Sequence, residues 1–137
     1  MSLETNVAGI PLASCIYNAS GPRTTTKSML VNIGESKSGA VLGKSCTLNK
    51  QSGNPMPRAI QKIDLGQGCH GSINSEGLPN NGIDYYISED LVTAVGATGK
   101  PYIVSLSGKN IALTRRKIGP GNPRSRQSVS ELEIGFW

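Results

Sequence analysis

Aromatic residues and long apolar runs are scarce in this chain of 137 residues. Only 4% of the residues are aromatic, and hydrophobic residues make up 36%. No apolar run approaches the roughly 18 residues that a membrane-spanning helix requires. Residues 1–6 lack the basic start and the apolar core of a signal peptide. The sequence therefore predicts a cytoplasmic, loop-rich protein of one domain, since a chain of this length can bury one core.

Cysteine and histidine are also scarce. The three cysteines are widely spaced and form no CxxC pattern, so neither a zinc ribbon nor a disulfide framework is indicated. The one histidine, His70, follows Cys69 directly. Two neighbouring ligands without partners make a poor metal site. We interpret the pair as a free thiol beside a loop histidine and predict no metal.

The net charge of +5 is concentrated in one part of the chain. Six of the basic and two of the acidic residues lie between positions 109 and 137. Such a tail is either solvated or in contact with a phosphate backbone. Because no aromatic residues are interleaved with the charges and no groove-reading motif occurs, we favour the solvated tail and predict no nucleic acid partner.

Short apolar runs alternate with helix-type patterns along the chain. Residues 5–12 predict a small hairpin, and residues 24–34, 82–93 and 110–118 predict helices. Strands are predicted at 14–17, 39–43, 101–106 and 131–134. Residues 48–81 are predicted as a long irregular loop, a type that is usually functional or disordered. Alternating strands and helices predict an α/β fold with parallel strands and right-handed crossovers.

Small and polar residues follow each predicted strand, at 18–21, 44–47 and 107–108. In α/β sheets and barrels this edge carries the chemistry. The segment 71–82 adds glycines, amides and hydroxyls that can wrap a polar ligand, although an ordinary surface turn has the same composition. Three or four strands cannot close an eight-stranded barrel, so the architecture looks incomplete.

Four motifs occur in a fixed order: Asn18–Gly21, Gly43–Thr47, Gly53–Arg58 and Gly71–Asn80. Together they resemble the dihydroorotate dehydrogenases, most closely the soluble, dimeric branch that uses fumarate. The resemblance covers residues 5 to about 118. It implies the N-terminal part of a (β/α)₈ TIM barrel with its site at the carboxyl ends of the strands. The whole of 1–137 is then a single incomplete barrel domain, and 119–137 is a divergent basic tail.

The resemblance also implies a function. These enzymes oxidise dihydroorotate to orotate in pyrimidine synthesis through FMN, which fumarate reoxidises, and they act as homodimers. By position, Ala19, Ser20 and Gly21 would lie against the flavin. Lys44, with Ser45 beside it, would lie between flavin and substrate, where an ammonium stabilises the reduced ring.

The remaining site residues carry over in the same way. Asn74 would hydrogen-bond the pyrimidine, and Arg58 matches an arginine of a mobile loop that covers the site. The predicted substrate-binding residues are Lys44, Asn74, Ser75, Glu76, Gly77 and Leu78. Taken singly, a lysine is more often solvated and an asparagine more often a turn former.

Three departures from the family pattern bear on activity. Glu76 stands where the family has methionine, which places a carboxylate near an anionic substrate. Residues 67–71 are additional. The strand at 131–134 carries Glu133 in place of an asparagine, and no cysteine of this chain matches the family's catalytic base. No catalytic residue is therefore assigned, and the chain is predicted to be inactive alone.

Two other functions fit the sequence. A non-catalytic fragment would bind a partner protein or RNA through its edge strands or its basic tail, and RNA binding would then depend on salt. An independent small α/β domain would fold cooperatively without exposing apolar surface.

Overall fold

The computed structural model describes residues 2–108 and the backbone of residues 132–134. The strands are β1 (Thr5–Val7), β2 (Ile10–Leu12), β3 (Val41–Leu42), β4 (Ala59–Gly66), β5 (Cys69–Asn74), β6 (Tyr102–Leu106) and β7 (Leu132–Ile134). The helices are α1 (Lys27–Glu35), α2 (Ile83–Tyr86) and α3 (Glu89–Gly96), and a single 3₁₀ turn spans Pro22–Thr24.

A parallel sheet with the order β3–β6–β7 forms the centre of the fold. Val41 pairs with Tyr102, and Val104 pairs with Leu132. The predictions of parallel strands and of strands at 39–43, 101–106 and 131–134 are confirmed, with shorter bounds. No closed barrel forms within the described residues, so the structure shows a mixed α/β unit and a barrel remains an inference from resemblance.

Alternate residues of β3 and β6 point to opposite faces of the sheet, as the strand period requires. Val41 and Val104 pack with Leu30 of α1 and Val95 of α3 on one face. Leu42 and its neighbour in β6 pack on the other face, where the β1–β2 hairpin contributes Leu12. β3 and β6 are therefore covered on both sides, which explains why these two strands are predominantly apolar.

The strand predicted at 14–17 is wrong. This segment has no strand, and its Ile16 side chain is 66% exposed. The Asn18 side chain takes over the pairing with β3, because its Oδ1 accepts from the N–H of Leu42 at 2.9 Å and its Nδ2 donates to the Leu42 carbonyl at 2.7 Å. The side-chain amide of Asn18 thus makes the two hydrogen bonds that a neighbouring strand would otherwise make with Leu42.

The irregular loop predicted at 48–81 is also wrong in part. It contains the antiparallel pair β4–β5, whose turn residues Gln67 and Gly68 have φ of 53° and 77°. Two left-handed residues are what a tight hairpin turn requires. Nearly all residues of β4 are exposed, so burial imposes no clear apolar alternation. The additional residues 67–71 of the family comparison form this turn and the start of β5.

The predicted helices have mixed outcomes. The N-terminal hairpin and α1 are confirmed, and the Thr26 side chain caps α1 by accepting from the N–H of Met29. The helix predicted at 82–93 is two helices, because the backbone of Ser88, the residue before α3, is extended. The helix predicted at 110–118 lies outside the described residues, as does the tail apart from 132–134.

In the described part of the chain, no helix has the length and apolar character needed to cross a membrane.

Candidate functional site

The carboxyl ends of β3 and β6 remain hydrogen-bonded beyond the strands themselves. The N–H of Cys46 donates to the carbonyl of Ser105 at 3.0 Å, and the N–H of Ser107 donates to the carbonyl of Cys46 at 2.9 Å. This pairing places residues 44–46 and 105–107 side by side. It brings small polar side chains to one edge of the sheet.

Three serine hydroxyls meet at this edge. Ser20 Oγ lies 2.7 Å from Ser45 Oγ, and Ser45 Oγ lies 2.8 Å from Ser105 Oγ. The backbone N–H of Ser45 also donates to Ser20 Oγ at 2.5 Å. All three residues are only partly exposed. The contact between Ser20 and Ser45 joins the loop after residue 17 to the end of β3, so these two predicted residues lie together.

Lys44 is buried, with 9% of its surface exposed, and its N–H donates to the Thr24 carbonyl at 3.1 Å. Desolvation lowers the pKa of the Lys44 ammonium, while the nearby Cys46 and Glu76 act in the opposite direction. A lysine held in such a place is a cation that solvent screens poorly.

Asn80 fastens the loop of the predicted substrate residues to the end of β3. Its side chain is 3% exposed, and its Oδ1 accepts from the N–H groups of Thr47 at 3.1 Å and Gly82 at 2.8 Å. Its Nδ2 donates to the Leu78 carbonyl at 2.9 Å. Two backbone hydrogen bonds between Asn80 and Gln51 also hold this loop in place. Sequence reasoning assigned Asn80 no role, although a polar residue in a family motif was a signal for one.

The segment from 75 to 78 is held mainly through its carbonyl groups. The Glu76 carbonyl accepts from the N–H of Asn54, and the Gly77 carbonyl accepts from the Gln51 side chain at 2.5 Å. Among the described residues, no hydrogen bond uses the N–H groups of Gly77 and Leu78. These two donors are therefore available to an anionic or carbonyl ligand.

Arg58 lies beside Glu76, with 3.7 Å between Nη1 and the carboxylate. The guanidinium also donates to the carbonyls of Asn54 at 2.6 Å and Ser52 at 2.8 Å. Arg58 thereby ties residues 52–54 to the loop at 76. The match of Arg58 to an arginine of a mobile loop that covers the site stays a prediction.

The other predicted residues are more dispersed. Ala19 and Gly21 line a cleft of about 570 Å³ together with Asn18 and part of α1. A Cβ added at Gly21 would meet only the Ala19 carbonyl, at 3.9 Å, so a planar group has room there. Asn74 is exposed at the end of β5, as is Ser75. The structure thus brings Ser20 and Ser45 together, buries the adjacent Lys44 and leaves Asn74 exposed.

The cysteines of the chain differ in chemical availability. Cys46 is buried, and burial raises the pKa of its thiol to about 12. Cys15 and Cys69 are exposed, and all three thiols are free. No cluster of three or more histidine, cysteine or acidic side chains that could hold a metal occurs in the described ranges.

Parallel strands and helices define a mixed α/β protein, and in such proteins ligands commonly bind at the carboxyl edge of the parallel strands. The sequence profile of the family "Dihydroorotate dehydrogenase" matches residues 2–113 of this chain. Since that match covers most of the sequence, the chain belongs to the dihydroorotate dehydrogenase family. The resemblance noted from the four motifs is confirmed.

The names of several relatives include the word fumarate. The chain is 37% identical to "Dihydroorotate dehydrogenase (fumarate)" of Trypanosoma brucei brucei, across 99% of this chain and 41% of that protein. It is 38% identical to "Dihydroorotate dehydrogenase A (fumarate)" of Lactococcus lactis subsp. lactis, across 83% of this chain and 36% of the relative. The chain therefore spans about two fifths or less of these relatives and corresponds to their N-terminal portion.

Proposed function

We propose that this chain supplies the FMN-binding and pyrimidine-binding elements of a dihydroorotate dehydrogenase, an enzyme that oxidises dihydroorotate to orotate with fumarate as final electron acceptor. The observation that carries the proposal is the hydroxyl contact between Ser20 and Ser45 at the carboxyl edge of β3, directly after the buried Lys44 in the chain. The names of the relatives, all fumarate-dependent, support the choice of acceptor.

The residues at this edge suit the ring system of FMN. Ser20, Lys44 and Ser45 would hold FMN, which would supply the two-electron redox chemistry between dihydroorotate and fumarate. Lys44 places a poorly screened cation where negative charge develops, which favours the reduced state. Ser20 and Ser45 offer hydroxyl donors to ring carbonyls and nitrogens, and the open space at Gly21 admits a flat group.

The pyrimidine is proposed to lie between Lys44 and the loop that Asn80 anchors. The N–H groups of Gly77 and Leu78 would bind its carboxylate or ring carbonyl, and Asn74 would turn inward to its ring edge. Glu76 acts against this binding, because its carboxylate reduces the positive potential of Lys44 at the site of an anionic ligand. We therefore propose that orotate binds this chain more weakly than it would bind a variant with an uncharged residue at position 76.

Proton removal from the substrate is assigned to no residue of these 137. The Cys46 thiol stays protonated at neutral pH because its pKa is about 12. The exposed Cys69 lies in the turn region of the β4–β5 hairpin. Lack of a general base typically lowers a rate by about 10²- to 10⁴-fold. We propose that the chain binds ligands but does not turn over alone.

Flavin titration tests the proposal. FMN fluorescence is followed with the wild-type chain, with Lys44→Met and Ser20→Ala, and with Lys62→Met as a control for an exposed lysine. The proposal predicts saturable binding that the two site variants weaken and the control leaves unchanged. Equal binding by all four proteins would contradict it. In a parallel assay with dihydroorotate, FMN and fumarate, orotate formed at an ordinary enzymatic rate would contradict the assigned lack of a base.

A further inference from the structure

We infer that Ser105 is a positioning residue of the candidate site: through Ser45, its hydroxyl turns the O–H of Ser20 toward a bound acceptor. This inference rests on the proposed function, because the acceptor is a carbonyl oxygen or ring nitrogen of the flavin. Ser105 lies outside the four motifs, and it does not itself reach the loop that carries Ser20. Its effect passes through one intervening hydroxyl.

The direction of the hydroxyl chain follows from counting donors and acceptors. A serine hydroxyl donates one hydrogen and accepts up to two. Within the described part of the chain, Ser105 Oγ has one hydrogen-bond partner, Ser45 Oγ at 2.8 Å. Donation from Ser105 to Ser45 is therefore the arrangement that uses its hydrogen.

Ser45 then donates its own hydrogen to Ser20 across 2.7 Å. Ser20 Oγ already accepts from the backbone N–H of Ser45 at 2.5 Å. Both acceptor positions of Ser20 are thereby filled by Ser45, so the Ser20 hydrogen has to point away from it. Successive hydroxyl bonds also polarise one another, which strengthens the last donor of the chain.

The placement of Ser105 suits it to this role. It belongs to β6, the central strand of the sheet, between the buried residues Val104 and Leu106. It follows Ile103 by two positions and so faces the side of the sheet opposite the helices. Ser20, by contrast, lies in a segment with no regular secondary structure. A residue of a regular strand, Ser105, therefore helps to orient the hydroxyl of Ser20, which lies in an irregular loop.

A double-mutant cycle on FMN binding separates positioning from a general structural role. The titration uses Ser20→Ala, Ser105→Ala and the double variant, with Ser107→Ala, directly after the same strand, as the control. We expect Ser105→Ala to raise the Kd for FMN about 3- to 10-fold, the range of one hydrogen bond. The double variant should bind no more weakly than Ser20→Ala alone, and Ser107→Ala should bind as wild type does. Restored affinity in Ser105→Thr, which keeps a hydroxyl, would support the inference.

Two results of that cycle would overturn the inference. Losses that multiply in the double variant would mean that Ser105 acts independently of Ser20. Unchanged or tighter binding by Ser105→Ala would mean that the hydroxyl chain runs in the other direction.

A second measurement needs no ligand and keeps this inference separate from the proposed function. The amide proton of Ser45 reports its bond to Ser20, so its NMR resonance should move in Ser105→Ala and stay in Ser107→Ala. If wild type binds no FMN, the proposed function fails for this chain, and an unmoved Ser45 resonance then overturns the hydroxyl chain as well. A moved Ser45 resonance supports the proposed chain of hydroxyl hydrogen bonds whether or not FMN binds.

Discussion

Replacing Asn80 with alanine should unfasten the loop of residues 75–82 from the end of β3. The truncation leaves three backbone groups without their partner: the buried N–H of Gly82, and the partly buried N–H of Thr47 and carbonyl of Leu78. An unsatisfied buried group costs about 1–3 kcal/mol. The lower value applies here, because removal of the amide opens a path for water. The free energy of unfolding should therefore fall by about 3 kcal/mol.

Urea unfolding followed by far-ultraviolet circular dichroism measures this loss. Asn49→Ala is the matched control, because Asn49 is exposed and lies two residues after Thr47. For a chain of this size, Tm should fall by about 10 °C in Asn80→Ala and by no more than about 2 °C in the control. A loss below about 0.5 kcal/mol, the range of ordinary surface changes, would refute the assignment of Asn80 as the anchor.

Four further predictions use the same preparation. Asn18→Ala removes two hydrogen bonds to Leu42 and should lower the free energy of unfolding by about 2 kcal/mol, measured in urea. Glu76→Gln should change stability by less than about 1 kcal/mol, since its ion pair is exposed, but should tighten orotate binding severalfold at low salt in calorimetric titration. Burial lowers the pKa of Lys44, so Lys44→Met should be more stable than wild type at neutral pH, and this difference should disappear as pH rises above the ordinary lysine pKa of 10.5. A thiol reagent should modify two cysteines rapidly in the native protein and reach Cys46 only on unfolding.

The sheet and its edge were predictable because burial leaves a clear pattern. The run at 101–106 is apolar except for Ser105, since β6 is covered on both faces, and the threonines before α1 have the chemistry of a helix cap. Small polar residues at 44–46 marked the carboxyl end of β3. These local signals were sufficient to predict parallel strands and to indicate where a ligand would bind.

The errors share a physical origin. The β4–β5 hairpin is exposed, so solvent rather than packing surrounds its side chains and no alternation identified it. The Asn18 side chain takes the place of a paired strand by hydrogen-bonding the backbone of Leu42, 24 positions away, and no local sequence pattern encodes that contact. Asn80 has the composition of an ordinary turn residue, and only its tertiary partners distinguish it. The hydroxyl chain at Ser20 likewise depends on three separate segments.

The central claim is that one site joins the loop at 18–21, the end of β3 and the anchored loop at 76–78. Amide resonances of the isotope-labelled chain, followed during titration with FMN and then with orotate, test that claim directly. The account predicts that FMN shifts the resonances of Ser20, Lys44 and Ser45, and that orotate adds shifts at Gly77 and Leu78. Shifts confined to other parts of the chain, or no shifts at all, would contradict it.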